Sequence, residues 1–163
     1  ISKHLQAAYA FHFLSPYPKM MWQFGEMGYD VSLGEDDSQK VEPKPVHWEY
    51  MEDANRKALY DAVSKCITFR TTHPAMYGFD GTTTINTWAV GDANMSAKTL
   101  VYSNAGGSVI VMANFTNASS NATCNVPAQG TWKNLITDAA VELNSATYTT
   151  TLAPGDYVVL VKE

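Results

Sequence analysis

Past Met76 the chain changes its hydrophobic rhythm, and that change limits the fold more than any other feature. Upstream, apolar residues recur at three- and four-residue steps; downstream, Thr, Val, Asn and Gly alternate in short runs. Alternation places successive side chains on opposite faces of a strand, so each run can bury one face and wet the other. Strands are predicted at 83–90, 99–103, 108–114, 122–126, 130–134, 139–142, 148–152 and 156–161. Turn chemistry separates them: Gly91-Asp92, Asn104-Ala105-Gly106-Gly107, Gln129-Gly130 and Pro154-Gly155. Short strands at this spacing with no helix between them indicate an antiparallel β-sandwich.

The first half reads differently. Residues 2–14 form a predicted helix that is apolar nearly all round (Leu5, Ala7, Ala8, Tyr9, Ala10, Phe11, Phe13, Leu14), as a covered element must be. Residues 19–24 are too short an apolar run for a helix and follow prolines at 16 and 18, so they read as a buried strand. Gly25 and Gly28 permit a tight exit that delivers Glu26, Tyr29 and Asp30 beyond the strand's carboxyl end, where α/β folds bind ligands. A polar loop spans 32–45. A second helix covers about 53–71, with Leu59, Ala62, Val63, Cys66, Ile67 and Arg70 on one stripe. Asp61 and Lys65 form its predicted i,i+4 ion pair, Glu49, Glu52 and Asp53 suit its amino end, and His73-Pro74 stops it. The boundary between the two regions falls at 76/77.

The formal net charge of −5 leaves no basic patch for a nucleic-acid partner. No run approaches the ~20 apolar residues of a membrane span. Cys66 and Cys124 fall in different elements without C-x-x-C spacing and read as two unpaired thiols. Histidines 4, 12, 47 and 73 lack metal-pair spacing, and Glu35-Asp36-Asp37 lacks the ligand alternation of an EF-hand. No cofactor or metal is therefore expected. Four N-x-[ST] sequons stand at Asn94, Asn114, Asn117 and Asn121.

Pro18, the run Met20 to Phe24, Gly25 and Glu26 closely resemble the eighth-strand motif of the α-amylase family of glycoside hydrolases, although Pro16 stands where that motif usually has glycine. Pro45-Val46-His47-Trp48 ahead of the second helix, Gly130-Thr131-Trp132-Lys133-Asn134-Leu135, and the closing Leu152-Ala153-Pro154-Gly155-Asp156-Tyr157-Val158-Val159-Leu160 extend the resemblance over the chain. It implies the last helix-strand-helix units of a (β/α)8 barrel in 1–76, followed by an all-β antiparallel sandwich in 77–163. A whole barrel needs ~250 residues, so the chain is expected to be a carboxyl-terminal piece of a longer enzyme. That parent would act on α-glucans such as starch, glycogen or maltooligosaccharides, which favours an extracytoplasmic setting, while the sequence itself leaves the compartment open.

Retaining glycosidases use two carboxyl groups ~5–5.5 Å apart. The resemblance implies that these, with a third assisting carboxylate, lie on barrel strands four, five and seven, upstream of this chain, which alone is expected to be inert. Candidate substrate-binding residues are Gln23, Glu26, Tyr29 and Asp30 at the rim. Glu26 is expected to orient the loop by hydrogen bonds to backbone; the other three either touch a glucosyl unit or are ordinary polar loop residues. Trp22 and Trp48 are expected to pack, with sugar stacking as the alternative, and Trp88, Trp132 and Tyr157 to belong to the sandwich core. Two rivals stand beside the enzyme-fragment reading: a carbohydrate-binding sandwich, and a structural cap whose exposed barrel-facing surface lets the chain self-associate.

Overall fold

The computed structural model describes residues 2–34, 36–77, 84–86 and 97–163. The predicted strand residues 83 and 87–90, Trp88, the Gly91-Asp92 turn, the Asn94 sequon and Glu35 lie outside these. The helices are α1 (Ser2–Leu14), the one-turn α2 (Asp37–Lys40), α3 (Ala54–Thr72) and the short α4 (Pro74–Tyr77). Strands β1 (Thr84–Asn86), β2 (Ala97–Asn104), β3 (Gly107–Asn114), β4 (Ser120–Asn125), β5 (Gly130–Asn134), β6 (Ala140–Leu143), β7 (Thr147–Leu152) and β8 (Tyr157–Lys162) follow. Every described strand pairing is antiparallel. The order β1-β2-β3-β8-β5-β6 makes a six-stranded sheet, and β4 pairs with β7 in a second sheet.

Burial explains the arrangement. In β3, Val109, Val111 and Ala113 face the helices, while Ile110 and Met112 face the small sheet, so its seven residues from Ser108 to Asn114 are all buried. Its partners keep the same phase: Val111 lies opposite Val159, and Ile110 opposite Val101 and Leu160. One core forms where Ala7, Ala10, Phe11 and Leu14 of α1 and Leu59, Val63, Cys66 and Phe69 of α3 meet Leu100, Tyr102, Val109, Val111 and Val161. The other fills the sandwich with Ile110, Met112, Leu160, Ala122, Cys124, Leu152 and Trp132, whose indole is 1% exposed and donates to the Ala128 carbonyl at 2.8 Å. The small sheet's outer face wears the chain's Thr-rich alternation, with Thr123 and Thr149 hydroxyls bonded across the pair at 2.9 Å.

Specific polar ties join the layers. Arg70 closes the carboxyl end of α1 by donating to the carbonyls of Phe13, Ser15 and Tyr17, which no helical N–H can reach. The expected Asp61–Lys65 pair does not form. Asp61 takes Lys57 at 2.6 Å instead, because Lys65 spans to the β5–β6 turn, donating to the Ile136 carbonyl and to Asp138, both at 2.7 Å. A tertiary partner outweighs an exposed helical pair worth only ~0.3–0.5 kcal/mol. Lys3–Asp156 and His73–Glu163 make further helix-to-sandwich contacts. Gly106 and Gly107 bring the β2–β3 turn against α4 and β8: a Cβ would lie 2.6 Å from the Ala75 carbonyl carbon at Gly106, and 2.5 Å from the Lys162 carbonyl oxygen at Gly107.

One expectation changes here. Residues 18–22 carry no regular secondary structure and no sheet partner among the described residues, and Gln23 and Phe24 already turn. A strand exists only through its ladder, and every described strand belongs to the sandwich. The Asn114 sequon is closed: the side chain is 0% exposed, its amide donates to the Ala118 and Leu152 carbonyls, and its oxygen accepts from the Thr116 N–H and hydroxyl. Asn117 and Asn121 are exposed. Both cysteines are free and buried, and burial pushes the Cys66 thiol up to about 12 and Cys124 to about 11, which makes them unreactive.

Asn114 links β3 to the end of β7, so Asn114→Ala is expected to cost about 1–3 kcal/mol in urea unfolding, and a glycosylating host is expected to leave Asn114 unmodified by mass mapping. Asp138 gives a pH test. Hydrogen bonds from Lys133 and then Lys65, with their charges, lower its carboxyl from 3.8 to about 2. A lowered folded value means stability that is present above the unfolded value and lost as pH falls through the folded one. The stability difference between the wild type and Asp138→Asn is therefore expected to hold above pH ~5 and to vanish between pH 4 and about 2.

Candidate functional site

The predicted rim residues sit on a tight turn between α1 and α3. Phe24 takes a left-handed conformation at φ 55° and Gly28 another at φ 69°, framing the one-turn helix Gly25–Met27. Strain at Phe24 is held by packing: its buried ring stacks on Tyr29 at 6.2 Å and meets the edge of Trp48 at 4.9 Å. Gly25 sits under the Tyr9 hydroxyl, which a Cβ at 2.5 Å would push aside.

Arg56 organises the turn. Its Nη1 donates to the carbonyls of Met27 and Gly28 at 3.0 and 2.6 Å, and Nη2 donates to Asp30 Oδ2 at 2.7 Å. The guanidinium lies 3.8 Å from the Tyr50 ring centroid, and the Tyr50 hydroxyl donates to Asp30 Oδ1 at 2.5 Å. The Tyr50 hydrogen bond, and after it Arg56, holds the Asp30 carboxyl below the usual range; the carboxylate in turn raises the Tyr50 phenol. His47 stacks on Tyr50 at 4.8 Å and 5° and bonds Glu49, whose carboxyl it lowers. Gln23 Nε2 and the Tyr29 hydroxyl both donate to the Pro45 carbonyl, at 3.2 and 3.1 Å. The turn and the 44–50 loop thus form one unit.

The four candidate residues therefore divide. Gln23, Tyr29 and Asp30 spend their polar groups on the chain itself. Glu26 makes no backbone hydrogen bond among the described residues, contrary to expectation; the loop-orienting work falls to Arg56, whose five donors suit carbonyl and carboxylate together. Glu26 lines a groove of about 190 Å³ with Met21, Tyr60, Val63, Ser64, Ile67 and Thr68, and its charge adds to burial in raising the Tyr9 phenol. Arg56 and Tyr50 were missed by sequence reasoning. A usable signal was present: a cation in the first turn of α3 opposes the helix dipole, so it needs a partner elsewhere. Asp53, by contrast, caps α3 as its position suggests, accepting from the N–H groups of Asn55 and Arg56.

Trp22 and Trp48 are 60% and 69% exposed, and Met20 is 84% exposed, so Trp22 lacks the expected packing within the described residues and Trp48 packs through its contact with Phe24 while leaving most of its surface open. Trp132 is core as expected, and Tyr157 is half-buried, its hydroxyl donating to Gln6. A larger groove of about 650 Å³ opens where the amino ends of α1 and α3 meet the turn, lined by Lys3, His4, Met27, Asp30, Arg56 and Pro154 among others. Among the described residues, no group of three His, Cys, Asp or Glu side chains converges to hold a metal.

No family model matches the sequence, and no curated protein matches it by sequence. Its fold does match solved structures. AmyP in complex with maltotriose superposes with a TM-score of 0.69 at 17% identity over 98% of this chain and 34% of that one. The α-amylase from Geobacillus thermoleovorans, complexed with acarbose, gives 0.66 at 14% identity over 99% and 34%. A maltogenic α-amylase, AmyB from Thermotoga neapolitana, gives 0.67 at 12% identity over 98% and 36%. The chain has the fold of part of an α-amylase and spans about a third of the length of these proteins.

Removing the guanidinium should loosen the turn without unfolding the sandwich. Arg56→Met is expected to lower stability by about 1.5–3 kcal/mol, the scale of hydrogen bonds to a charged group. Arg56→Lys is expected to restore only part, because an ammonium cannot bridge two carbonyls and a carboxylate. Urea unfolding, with hydrogen exchange at residues 27–30, measures both.

Proposed function

We propose that this chain is the carboxyl-terminal portion of an α-amylase-like retaining glycoside hydrolase acting on α-glucans. Residues 1–76 would be the end of its catalytic (β/α)8 barrel and 77–163 its closing β-sandwich. The observation that carries this reading is the fold likeness running through helix, turn, helix and sandwich together over 98–99% of the chain. The maltotriose and acarbose bound in two of those structures support an α-glucan as the parent's substrate.

The side chains support a scaffold role for this portion. Between residues 18 and 22 exposed and partly buried positions alternate, as on a strand awaiting its ladder. The rest of the barrel would supply that ladder and cover Met20 and Trp22, a face through which the isolated chain would self-associate. Gln23, Tyr29 and Asp30 then shape the rim by tying the turn to the 44–50 loop, leaving Glu26 the freest of the four to meet a glucosyl unit. Asp30, held ionised by Tyr50 and Arg56, is unsuited to donate a proton near neutral pH. Glu26's groove contains no second carboxylate with which to form a retaining pair.

The binding-module alternative receives little support. Phe115 is the one large apolar side chain exposed on the sandwich among its described residues, and a single ring does not make the row of aromatics that a glycan platform presents. The purified chain is expected to release no reducing ends from soluble starch or maltoheptaose and to give no heat on titration with maltoheptaose. Turnover that tracks with the chain through purification away from contaminating amylase would sink the proposal, and saturable binding heat would favour the module.

A further inference from the structure

We propose that Lys19 is a nucleophilic amine site that condenses with aldehydes, the class that includes the open-chain form of reducing sugars. The lysines of this chain differ in what surrounds them. Lys3, Lys57, Lys65 and Lys133 each hold a carboxylate at 2.6–2.8 Å. Lys44 and Lys162 donate to backbone carbonyls. Lys19 is half-buried and, among the described residues, has neither a carboxylate nor a carbonyl partner: its Nζ donates to the hydroxyl of the buried Ser15, which itself donates to the His12 carbonyl at 3.1 Å.

The fixed charge facing it is cationic and comes from α3, while the α1 group nearby is a neutral imidazole. Arg70 of α3 meets it at Ser15, whose carbonyl accepts from Arg70 Nη1 at 2.7 Å while its hydroxyl accepts from Lys19, and Arg70 is pinned there by the three carbonyls at the end of α1. His12 of α1 lies close enough for the Lys19 charge to lower the imidazole further, after burial, and its Nε2 is engaged at 3.1 Å by the Met20 carbonyl oxygen. The Tyr17 ring lies 5.8 Å away. A hydroxyl acceptor serves a neutral amine as well as an ammonium, whereas the fixed Arg70 charge opposes the ammonium alone. Burial first, and Arg70 second, accordingly lower the Lys19 amine to about 8. Desolvation beside a second cation is a general way of preparing a lysine for Schiff-base chemistry.

In the step, the neutral amine's lone pair forms a C–N bond to the aldehyde carbon, and the carbonyl oxygen takes up the proton. The carbinolamine then loses water to leave an imine, so one aldehyde is consumed and one water released, with no change of oxidation state.

The test labels the whole chain with limiting glyceraldehyde at pH 7, using cyanoborohydride as hydride donor to fix each imine as a secondary amine, and quantifies every lysine peptide by mass spectrometry. Lys19 is expected to label about tenfold or more faster than Lys57 and Lys133, since its neutral fraction is far larger at that pH. Its rate should level off just above pH 8. In 8 M urea the preference should disappear. Equal rates in the folded chain, a Lys19 profile still climbing at pH 10, or a preference that persists in urea would each overturn the proposal. A Lys19→Arg chain, checked for native circular dichroism, is expected to lose the fast-labelling fraction, and persistence of that fraction would also overturn it.

Discussion

The double burial of β3 is the constraint on which the rest depends. A strand with one wet face can rest on a single layer, but Ser108 to Asn114 bury both faces, so the structure needs a layer on each side. The helices supply one and the β4–β7 sheet the other. Helices and sandwich consequently share a core: Phe11 and Leu14 pack in the same cluster as Val109 and Val111. At ~25 cal/mol per Å² of apolar surface, that shared burial dominates the exposed Lys3–Asp156 and Lys65–Asp138 pairs, which set registration more than stability.

Against this framework the 18–30 segment is held by polar contacts at its two ends. Arg70 secures its entry through carbonyls up to Tyr17, and Arg56 secures its exit through carbonyls at Met27 and Gly28. Both arginines belong to α3, so one helix positions the whole turn. Between them, Met20 and Trp22 point away from any layer of this chain. The fold, this turn included, spans about a third of the length of the α-amylases it matches. The Lys19 environment follows from the same positioning, because Arg70's service to the end of α1 is what places a fixed cation near the amine.

The elements and their edges were legible in the sequence: α1 at 2–14, α3 within a residue of 53–71, and β5 at 130–134. Local periodicity carries that information, since a helix or strand face is a property of neighbours in sequence. The site was less legible. Tyr29, Asp30 and Gln23 were identified as turn residues, but their partners Arg56, Tyr50 and the Pro45 carbonyl lie 16 to 26 residues away. Glu26 attracted attention as a carboxylate after an apolar run, yet the arginine beside it does the orienting. The 19–24 strand was read from a short apolar run after two prolines and from its likeness to a family motif, and neither supplies a ladder partner.

By itself, then, the sequence determined two helices, a run of alternating strands, the turns between them and a likeness to α-amylase motifs, because these depend on backbone preference and side-chain period. Tertiary structure decided which face of β3 meets helix and which meets sheet, that Lys65 abandons Asp61 for Asp138 across 73 residues, and that Arg56 and Arg70 serve carbonyls in place of carboxylates alone. Those choices turn on which groups are brought within about 3 Å once the layers close. Long-range contacts of that kind compete with local pairs of nearly equal energy, so only the packed chain selects among them.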